Sequence, residues 1–144
     1  MNDLEKRYHR VMGGMIGNES LAASLDEDAA GVLFSWGESA ARRIVDQTDG
    51  LDDETAEAHM APRLRALRLM LRAVGRWIGE AKSLDFESRL ALWNRVSDQA
   101  KVLFGESFVL PPMDEALSQL SPNANAGQVI AWLKNFIEQK GNEG

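Results

Sequence analysis

The chain contains no cysteine, which removes disulfide scaffolds, thiolate zinc sites, iron–sulfur clusters, CxxC redox chemistry and a cysteine nucleophile together. It has only two histidines, His9 and His59. Di-iron four-helix proteins need Glu-x-x-His twice on facing helices, but the residues three before these histidines are Lys6 and Ala56. A haem globin needs a proximal histidine well after the distal one, and none follows His59. Strand-forming runs are almost missing as well. Only Phe108-Val109-Leu110 favours an extended chain, and it is too short to build a sheet. No stretch approaches the ~18 apolar residues of a membrane span, and Met1 to Arg7 lacks the apolar centre of a secretory signal. The expectation is a cytoplasmic protein with no integral membrane insertion and no cofactor.

What remains is 144 residues, 44 % of them hydrophobic, with a net charge of −6. For a chain of this mass roughly two thirds of the unfolded surface can be buried, enough for a core without a staple. The apolar spacing is helical nearly throughout, which predicts an all-α, single-domain bundle over residues 1–144 with five to six helices, antiparallel neighbours and no sheet. The approximate helices are 3–15, 26–47, 53–60 with 62–82, 86–104, 113–120 and 126–140. Capping-box spacings mark several starts: Asn2 with Glu5, Ser24 with Glu27, and Asn125 with Gln128, while Asp85 suits a single-residue cap. Gly13, Gly14 and Gly17 weaken the end of the first helix, and Gly105 is placed to end the fourth. Pro62 lacks an N–H, so a break near Ala61 is expected there. Pro111 and Pro112 hold Ser107 to Pro112 extended, and Pro112 can open a short helix. Trp36, Trp77, Trp93 and Trp132 fall one on each of the four longest helices, the pattern of a shared core layer.

Catalytic motifs are hard to find. His9 lies four residues after Glu5, which fits a local pair or plain solvation, and His59 reads the same way. The acidic stretch from Asp46 to Glu57 fails the EF-hand spacing, because Gly50 at the sixth position puts Val45 first and Ala56 twelfth, where oxygen ligands belong. Glu54-x-x-Glu57 resembles half of the paired acidic motif with which all-α nucleotide pyrophosphohydrolases of the MazG type hold magnesium. The second half, Glu-x-x-Asp one helix later, is missing: Ser83 stands three after Glu80, and Leu90 three after Glu87. Asp53, Glu54 and Glu57 therefore define a minor alternative, a metal-dependent hydrolase of phosphate esters or nucleotides. The glycines at 13, 14 and 17 precede no Gly-Lys-Ser/Thr, and Ser107 lacks the second glycine of a nucleophile elbow. The chain is expected to be non-catalytic.

One pattern rises above this background. From Glu19 to Glu57 there are eleven acids and two arginines, whereas Ala58 to Lys82 carries six bases and one acid. At ~100° per residue, Arg65, Arg68, Arg72 and Arg76 fall within about 80° of one another on a helix. Leu64, Leu67, Met70, Leu71, Val74, Trp77 and Ile78 cover the opposite arc, and Ala66, Leu69 and Ala73 widen it, as in a central helix with several neighbours or an oligomer contact. Gly75 and Gly79, on the arginine side, would admit a close backbone. The stripe is expected to be either a solvated or internally paired face, or a surface for a protein partner or self-association. A phosphate-bearing ligand, an anionic membrane face or nucleic acid are the other readings. The overall acidity, with a sequence pI near 4.9, argues against nonspecific nucleic-acid binding.

Overall fold

Helix starts are set by side chains that take over backbone N–H groups the helix itself leaves free. The structure is a computed structural model that describes residues 2–16 and 24–143. Gly17 and Glu19, singled out in the sequence, lie outside the described residues. Asn2 accepts from the Glu5 amide at 2.8 Å and opens α1 (Asp3–Ile16). Asp26, not Ser24, caps α2 (Glu27–Asp46), accepting from the Ala29 amide at 2.8 Å. The Ser24–Glu27 box is therefore corrected by two residues: carboxylate caps serve as well as hydroxyl ones, and this one comes nearer the first buried residue, Ala29. Asp52 caps α3 (Asp53–Gly79) through the Thr55 amide and Asp85 caps α4 (Phe86–Phe104) through the Ser88 amide, each at 2.7 Å. Pro112 precedes α5 (Met113–Ser118) without a side-chain cap, and this helix ends two residues before the expected 120. Asn125 and Gln128 exchange side-chain to backbone hydrogen bonds at 2.8 and 2.9 Å and open α6 (Ala126–Glu143). Gly105, at φ +107°, closes α4 in a conformation that L side chains rarely adopt.

The expected break near Ala61 does not occur, because α3 runs straight through Pro62. An interior proline costs about 3 kcal/mol, in part because the carbonyl four residues earlier loses its donor. That carbonyl belongs to Ala58, which like Pro62 is exposed, so water can satisfy it. One residue on, the Arg63 Nη1 donates to the His59 carbonyl at 2.9 Å. On the other side of the account, Leu67, Met70, Leu71, Val74 and Trp77 are each almost wholly buried. Each contributes about 1.5–3 kcal/mol, so packing of one continuous face outweighs the local defect.

Among the described residues the protein is all-α, a helical bundle without strands, and no helix is long and apolar enough to cross a membrane. One apolar cluster takes residues from all six helices. Its axis is α3, which packs on α2, α4 and α6, while α1 lies on α2. Trp36, Trp77 and Trp93 belong to this one core and Trp132 packs against it. Trp77 and Trp93 meet at 5.2 Å, with their indole N–H groups donating to Met113 Sδ at 3.2 Å and to the Pro111 carbonyl at 3.0 Å. Trp36 is buried on α2, and Trp132 stacks on Phe136 at the half-buried side of α6. α3 ends at Gly79 rather than the expected 82, and Gly79 lets the chain entering α2 cross it closely: a Cβ there would stand 2.5 Å from the Ser24 carbonyl oxygen.

Candidate functional site: the arginine ridge of α3

The unbroken α3 carries Arg65, Arg68, Arg72 and Arg76 on a single exposed face. With 1.5 Å of rise per residue the ridge is about 16 Å long. Its last member is engaged: Arg76 Nε donates to Glu80 Oε2 at 2.8 Å, one turn further on. Arg65, Arg68 and Arg72 have no ion pair or hydrogen-bond partner among the described residues. The apolar arc opposite them packs on α2, α4 and α6, which leaves the ridge on the solvent side of this helix.

The acidic segment before the ridge does not fold back on it. Asp53 accepts from Arg7 Nη2 at 3.1 Å, and Glu57 accepts from Arg10 Nη2 at 2.7 Å, so both are engaged by arginines of α1. A cation at Asp53, Glu54 and Glu57 would have to displace two guanidinium groups. Among the described residues no group of three or more histidine, aspartate or glutamate side chains is disposed to hold a metal ion.

Arg7 itself was not legible as a site residue, although it is only 5 % exposed. Its Nη1 donates to the Thr48 carbonyl at 3.0 Å and hydroxyl at 3.1 Å, and its Nη2 to the Leu51 carbonyl at 2.9 Å as well as to Asp53. Thr48 is fully buried and donates its own hydroxyl to the Val45 carbonyl at 2.6 Å. These bonds fix α1 to the turn between α2 and α3. The signal was present in the spacing, since Arg7 falls three after Leu4 and four before Val11, on the apolar stripe of α1. Arg10 and Glu57, by contrast, are an exposed pair.

Two further cations have specific surroundings. Arg89 stacks over the Trp77 ring at 4.9 Å, and burial pulls its pKa below the usual arginine value. Arg42 lies over the Tyr8 ring at 4.2 Å, a second tie between α1 and α2. His59, expected to be solvated, is half-buried with Nε2 2.8 Å from Gln47 Oε1. Burial, and then the charge of Arg63, lower its pKa. His9 is exposed beside Tyr8.

Comparison of the chain with known protein families, curated proteins and solved structures finds no match to any of them. The functional reading rests on the residues alone.

Proposed function

We propose that this protein is a non-catalytic helical interaction module, cytoplasmic and cofactor-free, which associates through the arginine ridge of α3 with an acidic protein surface, either of another protein or of a second copy of itself. One observation carries the reading. Three guanidinium groups on consecutive turns of a continuous helix are exposed and without a partner among the described residues, while Asp53 and Glu57 close by in sequence are engaged by α1. Guanidinium forks bind carboxylates in paired geometry and are less strongly hydrated than ammonium groups, which suits them to a protein interface. Several such contacts fix register and raise the association rate, and salt weakens them.

The test compares the natural chain with an R65Q/R68Q/R72Q variant by sedimentation and by titration with oligoglutamate, at low and at physiological salt. Glutamine has a helix propensity close to that of arginine, so the fold survives the change. Salt-sensitive self-association or oligoglutamate binding that the variant loses is the expected result. Equal behaviour of the two chains, or no association and no binding by either, overturns the proposal. Titration with duplex DNA forms a third arm. Binding there that is stronger than to oligoglutamate and lost in the variant would replace the protein partner with a nucleic acid.

A further inference from the structure

About 160° around α3 from Arg65, by the helical rotation, stands Arg63, which faces a different feature. A half-open hollow of about 250 Å³ lies between α2, α3 and the C-terminal turn of α4. Ala40, Ile44, Leu103 and Phe104 give it an apolar lining. Arg43 from α2 and Arg63 from α3 supply the charges that line it among the described residues, with no acidic side chain beside them, and Gln47 completes the wall.

The two cations differ in how far they are already satisfied. Arg43 stands in the last turn of α2, where a cation matches the helix dipole, and its nearest acid, Glu138, is 3.9 Å away. The two form an ion pair too long for a hydrogen bond, so Arg43 is partly neutralised while its N–H donors stay available for a second anion. Arg63 lies mid-helix, where the dipole gives no reason for a cation. Its single hydrogen bond to the His59 carbonyl fixes the guanidinium without neutralising it. That charge is felt next door, where it adds to the effect of burial in lowering the His59 pKa. Two arginines that line a hollow together with Ala40, Ile44, Leu103 and Phe104 are complementary to a molecule with one anionic and one greasy end.

We infer that this hollow binds a small amphipathic carboxylate, an aromatic or branched aliphatic acid whose apolar part lies on Leu103 and Phe104 while Arg43 and Arg63 hold its carboxylate. A cavity of about 150 Å³ takes benzene, so 250 Å³ suits a ligand of about ten non-hydrogen atoms. Longer acids would extend through the open side.

The probe is 3-phenylpropionate, followed by amide chemical shifts and by thermal shift on the full chain. Three controls accompany it: the neutral amide of the same acid, acetate, and phenyl phosphate. The acid should perturb residues 40–47 and 101–105 and raise the melting temperature, with acetate and the amide each weaker by about tenfold or more, since each lacks one of the two contacts. R43Q and R63Q should each weaken the acid, and A40L, which fills the lining, should weaken it without touching a charge. The R65Q/R68Q/R72Q variant should bind as the natural chain does, which separates this site from the ridge. Equal binding of acid and amide, undiminished binding by both R43Q and R63Q, or no perturbation at millimolar ligand overturns the inference. Binding of phenyl phosphate in preference to the carboxylate would correct the anion class.

Discussion

Two sets of arginines define opposite uses of the same side chain. Arg7 is sealed inside the molecule and donates to Thr48, Leu51 and Asp53, whereas Arg65, Arg68 and Arg72 project from α3 and have no partner among the described residues. A buried guanidinium is tolerated only where oxygen acceptors surround it, because removing a charge from water without them is prohibitive. Arg7 meets that condition mainly through main-chain carbonyls of a turn 41 to 44 residues away. The ridge needs no such provision, since water solvates it. Arg7 on the inside therefore builds the fold, whereas Arg65, Arg68 and Arg72 on the outside carry none of the ion pairs or hydrogen bonds that hold it among the described residues.

The largest expected effect lies on the inside. Arg7→Met keeps the length and the apolar stem but leaves the Leu51 carbonyl without its donor and the Thr48 carbonyl with the Leu51 amide alone. Bonds to charged groups are worth more than neutral ones, and the loss should reach about 2–3 kcal/mol in a urea titration. A loss below about 0.5 kcal/mol would mean that α1 is held by its apolar contacts alone, and the contrast between the two sets would collapse.

The next effect concerns pH. Hydrogen bonds from Thr55, backbone first and side chain second, lower the Asp52 pKa in the folded state, and the nearby Arg7 charge assists. A carboxylate whose folded pKa is depressed adds stability above its unfolded value, near 3.8, and that stability is lost as pH falls through the folded pKa. Asp52→Asn preserves the cap geometry but cannot titrate. The variant should therefore melt slightly lower than the natural chain at neutral pH and close the gap below pH ~4. Parallel melting curves across that range would show that the cap acts without its charge.

How much of this could be read from the sequence depends on periodicity. The all-α class, the caps at Asn2, Asp85 and Asn125, and the exposed alignment of the four α3 arginines follow from spacings along one helix. Pro62 misled because a local defect was weighed without the tertiary burial that overrides it. Arg7 stayed hidden because its acceptors are carbonyls, which every residue has and no letter of the sequence distinguishes. The hollow beside Arg43 and Arg63 joins three helices, and no periodicity within one of them indicates it.

The smallest expected effect is on the ridge, and its sign is what matters. Arg68 and Arg72 are four residues apart and carry like charges, a pairing that costs a few tenths of a kcal/mol when nothing compensates it. Arg76 has Glu80 as a partner, so the Arg68–Arg72 pair is the uncompensated one. Arg72→Gln should relieve this repulsion, leaving stability unchanged or raising it by a few tenths of a kcal/mol at low salt. The gain should fade as salt screens the pair. A fall of more than about 1 kcal/mol would mean that Arg72 has a partner within its own chain, since an exposed side chain without one shifts stability by less than that. The ridge would then be part of the scaffold, and the surface proposed for association would lose its central residue.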